Sequence, residues 1–178
     1  MTVDPLEIIS KYYQPDSPAF FMLIEHSRMV VSKCLKIAEQ IRYLNPDISF
    51  LKEAAMLHDI GIIFTDAPDI GCYGARDYIC HGHLGRELLE KEGLPRHALV
   101  CERHVGIGLN IGDIMKQRLP IPSRDMLPVT LEEKIVCYAD KFYSKKTGFL
   151  HIEKPIEEVR EGVRKYGADK LQRFDEVL

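Results

Sequence analysis

Apolar side chains recur at spacings of three and four residues along most of this chain, and the strict alternation typical of half-buried strands is rare. A clear stripe of this kind passes through Leu23, Val30 and Ile41. Two segments begin with a polar cap followed by proline, at Asp4-Pro5 and Ser17-Pro18, which is a favoured way to start a helix. The pattern predicts an all-α fold with helices over about 5–13, 18–44, 47–59, 82–92, 95–104, 113–118, 130–143, 155–166 and 168–178.

Two segments lack the helical pattern. Glycines interrupt residues 61–80 and prolines interrupt residues 119–129, so both are predicted to be loops. A structureless loop as long as the first is usually functional or mobile. The 178 residues are 46% hydrophobic, enough for one well-cored domain. We therefore expect a single domain over residues 1–178, with a core over about 18–146 and a C-terminal helical extension over about 154–178.

The formal net charge of −3 provides no strong positive field. Extended nucleic-acid binding is therefore disfavoured, although a small basic pocket remains possible. No apolar run approaches the roughly 20 residues that span a membrane, and the first residues lack the pattern of a signal peptide. The five cysteines are odd in number and form no C-x-x-C motif. They indicate reduced thiols and a cytoplasmic location. The oligomeric state stays open.

The His58-Asp59 pair interrupts a strongly apolar helix. His58 follows Leu51 on the apolar stripe, so its side chain is expected to point inward. Asp59 lies near the helix C-terminus, where a carboxylate opposes the helix dipole by roughly 0.3–1 kcal/mol. Burying it without a partner would cost several kcal/mol more, by the order of magnitude known for buried charges. A bound cation would turn both penalties into a binding site.

Other ionisable residues also lie on apolar stripes. His26 lies between Leu23 and Val30, and Asp140 shares a helix face with Ala139 and its apolar neighbours. Taken alone, His26 is more typical of a hydrogen-bonded core histidine. A buried aspartate is rarer because its charge needs a partner. Asp140 therefore carries more weight than His26.

Periodicity distinguishes the remaining histidines. His81 extends the stripe of the following helix, whereas His83 shares its face with charged residues and is expected to face solvent. His104 ends its helix on the inward side, just before a glycine. His97 and His151 are expected to lie at the surface.

The inward set mixes imidazoles and carboxylates. Such a set suits zinc, manganese or iron better than calcium or magnesium, and the lack of thiolates disfavours a structural zinc site. Six ligands are too many for one open catalytic ion but fit two ions bridged by Asp59, which could polarise a phosphoryl group and generate hydroxide. We expect two divalent ions, iron or manganese ahead of zinc or magnesium. The predicted ligands are His26, His58, Asp59, His81, His104 and Asp140.

These motifs resemble the HD-domain metal-dependent phosphohydrolases. The resemblance covers Phe21 to Lys145 and rests on an early histidine, a His-Asp-Ile-Gly run, an H-x-x-x-G helix start at His81 and a late aspartate. Order and spacing are similar to those of the HD-type symmetric diadenosine tetraphosphate hydrolases. The His104 segment departs from the His-His pair of cyclic-dinucleotide phosphodiesterases. The loop after Gly61 lacks the Glu and Gly-Asp pattern of the bacterial deoxynucleoside monophosphatases.

The resemblance implies an all-α HD-domain helical bundle around a metal centre. It also implies hydrolysis of a small phosphorylated substrate, such as a nucleotide, by a metal-bound hydroxide. Asp59 and Lys141 are the predicted catalytic residues, since an aspartate-lysine step is frequent here in the family. Arg76, Lys145 and Lys146 are candidates to bind the substrate, and for each the alternative is a solvated surface charge. Two other functions stay open: a di-iron oxygenase of the HD fold that cleaves a C–C or C–P bond, and a non-catalytic metal-containing binding module.

Overall fold

The structure is a computed structural model that describes residues 3–146 and 148–176. Within these residues the regular secondary structure is helical, apart from one small antiparallel sheet in which β1 (Asp66–Ala67) pairs with β2 (Cys72–Tyr73). The predicted all-α fold is therefore confirmed. The helices are α1 (Pro5–Tyr12), α2 (Pro18–Gln40), α3 (Ile48–Leu57), α4 (His81–Lys91), α5 (Pro95–Arg103), α6 (Ile111–Gln117), α7 (Leu131–Asp140), α8 (Ile156–Arg164) and α9 (Ala168–Asp175).

Capping residues explain several helix boundaries. Thr130 and Glu133 form the predicted capping box at the start of α7. A second capping box joins Asn110 and Asp113. Because Asn110 already satisfies the first turn, α6 begins at Ile111, slightly earlier than predicted.

Two predicted boundaries need correction. The long helix ends at Gln40, and a separate 3-10 turn covers Arg42–Leu44, so the helix does not reach Leu44 unbroken. The segment 61–80 is also more ordered than a structureless loop. It contains the small sheet and three 3-10 turns, Ile60–Phe64, Pro68–Ile70 and Tyr78–Cys80. The first of these turns lies directly after His58-Asp59, and the last lies directly before His81.

One buried apolar cluster joins α2, α3, α5 and α7. The C-terminal helices pack on this cluster through Val159 and Val163 of α8 and Phe174 of α9. The Phe174 ring stacks on the Tyr138 ring of α7, with 4.8 Å between centroids and 13° between planes. The helical extension thus shares the core of the helices that carry the predicted ligands. Among the described residues, no helix is both long enough and apolar enough to cross a membrane.

Candidate metal centre

His58 and Asp59 lie where α3 ends, and both side chains are fully buried. His58 is the C-cap residue of α3 and keeps helical backbone angles. Asp59 has non-helical backbone angles, φ −106° and ψ 7°. Adjacent residues within a helix diverge by about 100°. Ending the helix here allows both side chains to face the same interior space.

A first set of four donors surrounds one point between α2, α3 and α7. His26 Nε2 lies 3.0 Å from Asp140 Oδ1 and 3.3 Å from Asp59 Oδ2. His58 Nε2 lies 3.1 Å from Asp59 Oδ2 and 3.4 Å from Asp140 Oδ1. The four donor atoms all lie within 4.8 Å of one another. We call these four residues the first donor set.

A second donor set uses the other oxygen of the same aspartate. Asp59 Oδ1 lies 3.5 Å from His81 Nε2 and 3.2 Å from His104 Nε2. The two imidazole nitrogens are 3.2 Å apart. Asp59 thus belongs to both sets, one oxygen to each, which is the geometry expected of a carboxylate that bridges two ions.

Backbone carbonyls orient three of the four histidines. The Nδ1 atoms of His58, His81 and His104 lie 2.7, 2.6 and 2.7 Å from the carbonyl oxygens of Ala55, Tyr78 and Cys101. Each carbonyl belongs to the residue three positions earlier, so the helical turn itself provides the acceptor. Placing the proton on Nδ1 leaves the Nε2 lone pair free, and this outer contact is common for metal-binding histidine.

The donor atoms fit a metal ion better than they fit one another. His58 Nε2 and both oxygens of Asp59 are buried without a well-formed hydrogen bond. These atoms lie close to other polar atoms, but the angles at the contacts do not suit hydrogen bonds. Unsatisfied buried polar atoms are rare and need an explanation. Nitrogen and oxygen donors that converge in this way fit divalent cations.

Charge in the site points the same way. Burial would lower the pKa of His58, but without a bound metal the Asp59 and Asp140 carboxylates outweigh burial and raise it to about 9, so His58 must lose this second proton before its Nε2 can bind a metal. Burial alone would raise the pKa of Asp59, but the charges of protonated His58 and of Lys145 hold it well below its usual value. Asp140 behaves similarly: burial opposes ionisation, and Lys141 and Lys145 lower its pKa further than burial raises it. Because their pKa values are lowered, the carboxylates of Asp59 and Asp140 are both ionised. Burial lowers the pKa of His81 to about 3, so its imidazole stays neutral and able to bind a metal.

Three glycines allow the ligand-bearing segments to approach closely. A Cβ on Gly61 would overlap the His81 carbonyl oxygen, and it would lie 2.8 Å from the Gly85 Cα. A Cβ on Gly82 would lie 2.6 Å from the Val105 side chain, next to His104. The glycines of the His-Asp-Ile-Gly run and of the H-x-x-x-G motif therefore bring the turn after Asp59 against the start of α4.

Two of the three predicted lysines after Asp140, Lys141 and Lys145, reach the site. Lys145 Nζ lies 2.8 Å from Asp59 Oδ2 and 3.4 Å from Asp140 Oδ1. Burial would lower the pKa of Lys145, but the two carboxylates raise it well above its usual value. Lys141 Nζ donates to Asp140 Oδ2 at 2.7 Å. Arg76 and Lys146 are exposed, and their predicted contact with a substrate remains a prediction.

Tyr78 is a residue of the site that sequence reasoning missed. Its ring lies 4.7 Å from the His81 ring, at a tilt of 40°, and its backbone carbonyl orients His81. Tyr78 as a whole is 39% exposed. Desolvation of its hydroxyl nevertheless raises the pKa of that group, while the charge of Lys145 opposes that effect. A hint was available, because Tyr78 lies three residues before His81, one helical turn back.

The predicted position of His97 was wrong. This residue was expected at the surface, but it is 7% exposed. Its Nε2 lies 3.2 Å from Glu53 Oε2, and its ring meets the edge of Phe50 with 4.8 Å between centroids. The first turn of α5 packs on α3, a tertiary contact that no local pattern indicates. His83 is half-buried rather than open to solvent, and it lies outside both donor sets.

The chain spans only part of the curated relatives that it matches. A 33% identical uncharacterized protein of Methanocaldococcus jannaschii aligns over 124 residues, 64% of this chain and 66% of that protein. A tRNA (cytidine(56)-2'-O)-methyltransferase of Thermoplasma volcanium is 26% identical over 174 residues, 97% of this chain and 45% of that protein. The enzyme of the same name from Picrophilus torridus is 32% identical over 124 residues, 69% of this chain and 32% of that protein.

No solved structure matches the chain. The family model of the HD domain, by contrast, matches residues 23–144. That region includes all six residues of the two donor sets, and it runs from α2 to just past the end of α7. It covers most of the chain. The chain therefore belongs to the HD domain family.

Proposed function

We propose that this protein is a metal-dependent phosphohydrolase that acts on a nucleotide or another small phosphate ester or anhydride. The observation that carries the proposal is the position of Asp59. Its two oxygens face two separate donor sets, one with His26, His58 and Asp140, the other with His81 and His104. A carboxylate shared in this way suits a pair of divalent ions a few ångströms apart, which is a common arrangement for phosphoryl transfer.

Bound divalent ions would polarise the phosphoryl group and supply a hydroxide nucleophile near neutral pH. The chain's own residues set the conditions for this chemistry. Asp59 fixes the spacing of the two sets, and the carbonyls of Ala55, Tyr78 and Cys101 keep the imidazoles aligned. The Lys145 ammonium, 2.8 Å from Asp59 Oδ2, is proposed to bind an anionic phosphoryl oxygen. Arg76 and Lys146 are proposed to contact more distant parts of the substrate.

We propose iron or manganese as the bound ions, because the donor chemistry disfavours magnesium and structural zinc. Four imidazoles and two carboxylates form the sets, and magnesium prefers sites made of oxygen ligands and water. No thiolate takes part, since all five cysteines are free and buried outside the donor sets. Free cysteines are also the usual state in a reducing cytoplasm, which is the location we propose.

The names of two relatives bring a different reaction into view, methylation of a tRNA ribose. The chain matches 45% and 32% of those proteins, so most of their length lies outside the match. Two donor sets built for cations are not a requirement of methyl transfer to a hydroxyl group. We therefore propose hydrolysis for this chain, and we include ribonucleotides and short RNA among the substrates to be tested.

One observation favours a second candidate function. The second donor set is two histidines and one carboxylate, Asp59 Oδ1 with His81 and His104. This combination is used by non-haem iron(II) oxygenases, so an HD-fold di-iron oxygenase that cleaves a C–C or C–P bond is the alternative. A third candidate, a non-catalytic metal-containing binding module, would be expected to have lost a ligand, and all six are present.

The test is a substrate screen without oxygen. The metal-loaded protein is incubated with mononucleotides, dinucleoside polyphosphates, sugar phosphates and short RNA, beside Asp59→Asn and the control His151→Ala. His151 is exposed and contacts Glu25 and Met29. Phosphate release or dinucleotide cleavage by the parent and the control, but not by Asp59→Asn, supports the proposal. No release, with oxygen consumed in the presence of an organophosphonate or a polyol, would favour the oxygenase.

A further inference from the structure

Lys141 contacts both halves of the metal centre, although it belongs to neither donor set. It is the residue that follows Asp140, at the end of α7. Its Nζ donates to Asp140 Oδ2 at 2.7 Å and to the His104 carbonyl oxygen at 3.2 Å. The side chain is only 17% exposed. Its ammonium is thus held by two groups of the protein, the Asp140 carboxylate and the His104 carbonyl.

The contact with Asp140 decides which carboxylate oxygen is free. Oδ1 faces the first donor set, 3.0 Å from His26 Nε2, whereas Oδ2 is held by Lys141. Because an ammonium occupies Oδ2, Asp140 presents a single oxygen to the set. Outer contacts of this kind orient metal ligands and influence affinity.

The contact with His104 stabilises the end of α5. His104 is the C-cap residue of α5, and the final carbonyl groups of a helix have no hydrogen-bond partner within the helix. Lys141 satisfies this carbonyl together with the Cys137 thiol, whose Sγ lies 3.6 Å away. The backbone of His104, a ligand of the second donor set, is therefore bonded to the end of α7, the helix that carries Asp140 of the first donor set.

We propose that Lys141 is a positioning residue that joins the two donor sets, fixing Asp140 in one and the His104 backbone in the other. The sequence had indicated a catalytic role for this lysine. The proposal rests on the metal centre of the proposed function but does not depend on which reaction that centre performs.

Three roles of Lys141 predict different changes in metal affinity when its ammonium group is removed. A positioning role predicts weaker metal binding, because Asp140 and His104 lose their support. A purely electrostatic role predicts tighter binding, because a repelling positive charge is removed. A lysine that only contacts substrate predicts unchanged metal binding and a raised KM for a phosphate substrate.

The experiment titrates the full metal-free chain with Mn²⁺, using a competing chelator to obtain both dissociation constants and the electron paramagnetic resonance spectrum to follow the bound ions. Lys141→Met is expected to bind both ions at least tenfold more weakly. Lys141→Arg, which keeps the charge and the donors, should recover most of the affinity. Lys134→Met, on the same helix but outside both sets, is the control and should match the parent.

Tighter or unchanged binding by Lys141→Met would overturn the proposal, as would a Lys141→Arg protein no better than Lys141→Met. If Lys141→Met does not fold, Lys141→Gln and Lys141→Arg are compared in the same titration. Weak binding by the glutamine variant and near-parent binding by the arginine variant support the proposal, and equal binding by both overturns it. A parent that binds two ions but hydrolyses nothing would refute the proposed function while leaving this inference intact.

Discussion

Gly61 and Gly85 face each other so closely that a Cβ on Gly61 would lie only 2.8 Å from the Gly85 Cα. A Cβ on Gly85 would lie 3.3 Å from the Gly61 Cα, and it would overlap the Cys101 sulfur. Gly61 follows the His58-Asp59 pair, Gly85 lies one turn after His81, and Cys101 provides the carbonyl that orients His104. This contact therefore brings together the backbones that carry most of the metal ligands.

Gly85→Ala should lower both stability and metal content. The added methyl group would have to displace the Cys101 side chain or separate α4 from the turn at Gly61, and overpacking of this kind costs about 1–3 kcal/mol. Urea unfolding and metal analysis measure the two effects. The control is Gly162→Ala on α8, where an added Cβ meets nothing within 4 Å, and which should be neutral or slightly stabilising. Equal stability of the two variants would contradict this account of the glycine contact.

His81, not His83, should be a metal ligand. His81 Nε2 lies 3.2 Å from His104 Nε2, whereas His83 lies outside both donor sets. Each is replaced by alanine in turn, and bound manganese is counted by elemental analysis. His81→Ala should lose one of two ions and His83→Ala neither. Loss of metal from His83→Ala alone would reverse the assignment.

Asp59→Asn should be among the most damaging single changes. The amide keeps the shape but removes the charge that both sets share, and one of its two donor atoms becomes an NH₂ group. We expect a loss of well over a hundredfold in turnover, about 3 kcal/mol or more in barrier terms. Asp69→Asn, at an exposed position of the 61–80 segment, is the matched control. Steady-state kinetics of the two variants would show comparable rates only if Asp59 is not a bridging ligand.

Metal removal should lower the melting temperature. Ligands that bind only the folded state add stability by linkage, about 2.7 kcal/mol for one site at a hundred times the dissociation constant. Differential scanning calorimetry with and without a chelator measures the shift. Asp59→Asn should show little further shift, because it has already lost most metal binding. An unchanged melting curve after complete metal removal from the parent protein would argue against a metal-stabilised core.

His97 should make the fold sensitive to acid. Burial lowers the pKa of His97, and the nearby Glu53 carboxylate only partly offsets that effect. The unfolded chain then binds a proton at higher pH than the folded chain does, so this contribution destabilises the fold as the pH falls below about 6.5, the ordinary histidine value. The difference in unfolding free energy between the parent and His97→Gln is measured at pH 7.5 and pH 5. The parent should lose more stability than the variant, and a pH-independent difference would contradict the shift.

Helical periodicity predicted five of the six donor residues, because a polar residue on an apolar stripe is expected to point into the core. The choice of His81 over His83 followed from the same argument. Asp59 was predicted from its position beside His58 at the end of a helix, and the structure brings all six together. Periodicity could not place His97, since its burial depends on Glu53 and Phe50 of another helix. Nor could it show that the Lys145 ammonium lies beside Asp59, because a flexible side chain after a helix end has no periodic constraint.

The sequence pattern also could not predict how the six ligands divide between the two donor sets. A list of six ligands does not say which oxygen of Asp59 faces which histidines, because that depends on the packing of α2, α4, α5 and α7 around it. The Gly61–Gly85 contact is an intermediate case. Both glycines belong to motifs visible in the chain, but the reason for them, a close approach between two backbones, is visible only in the fold.

The most direct test of the account is to locate the ions by anomalous diffraction from crystals grown with manganese. The account predicts two anomalous peaks per chain, one on each side of Asp59. The first should lie among His26, His58 and Asp140, and the second between His81 and His104. A single peak, or peaks that do not share Asp59, would contradict the two-set metal centre on which the proposed function depends.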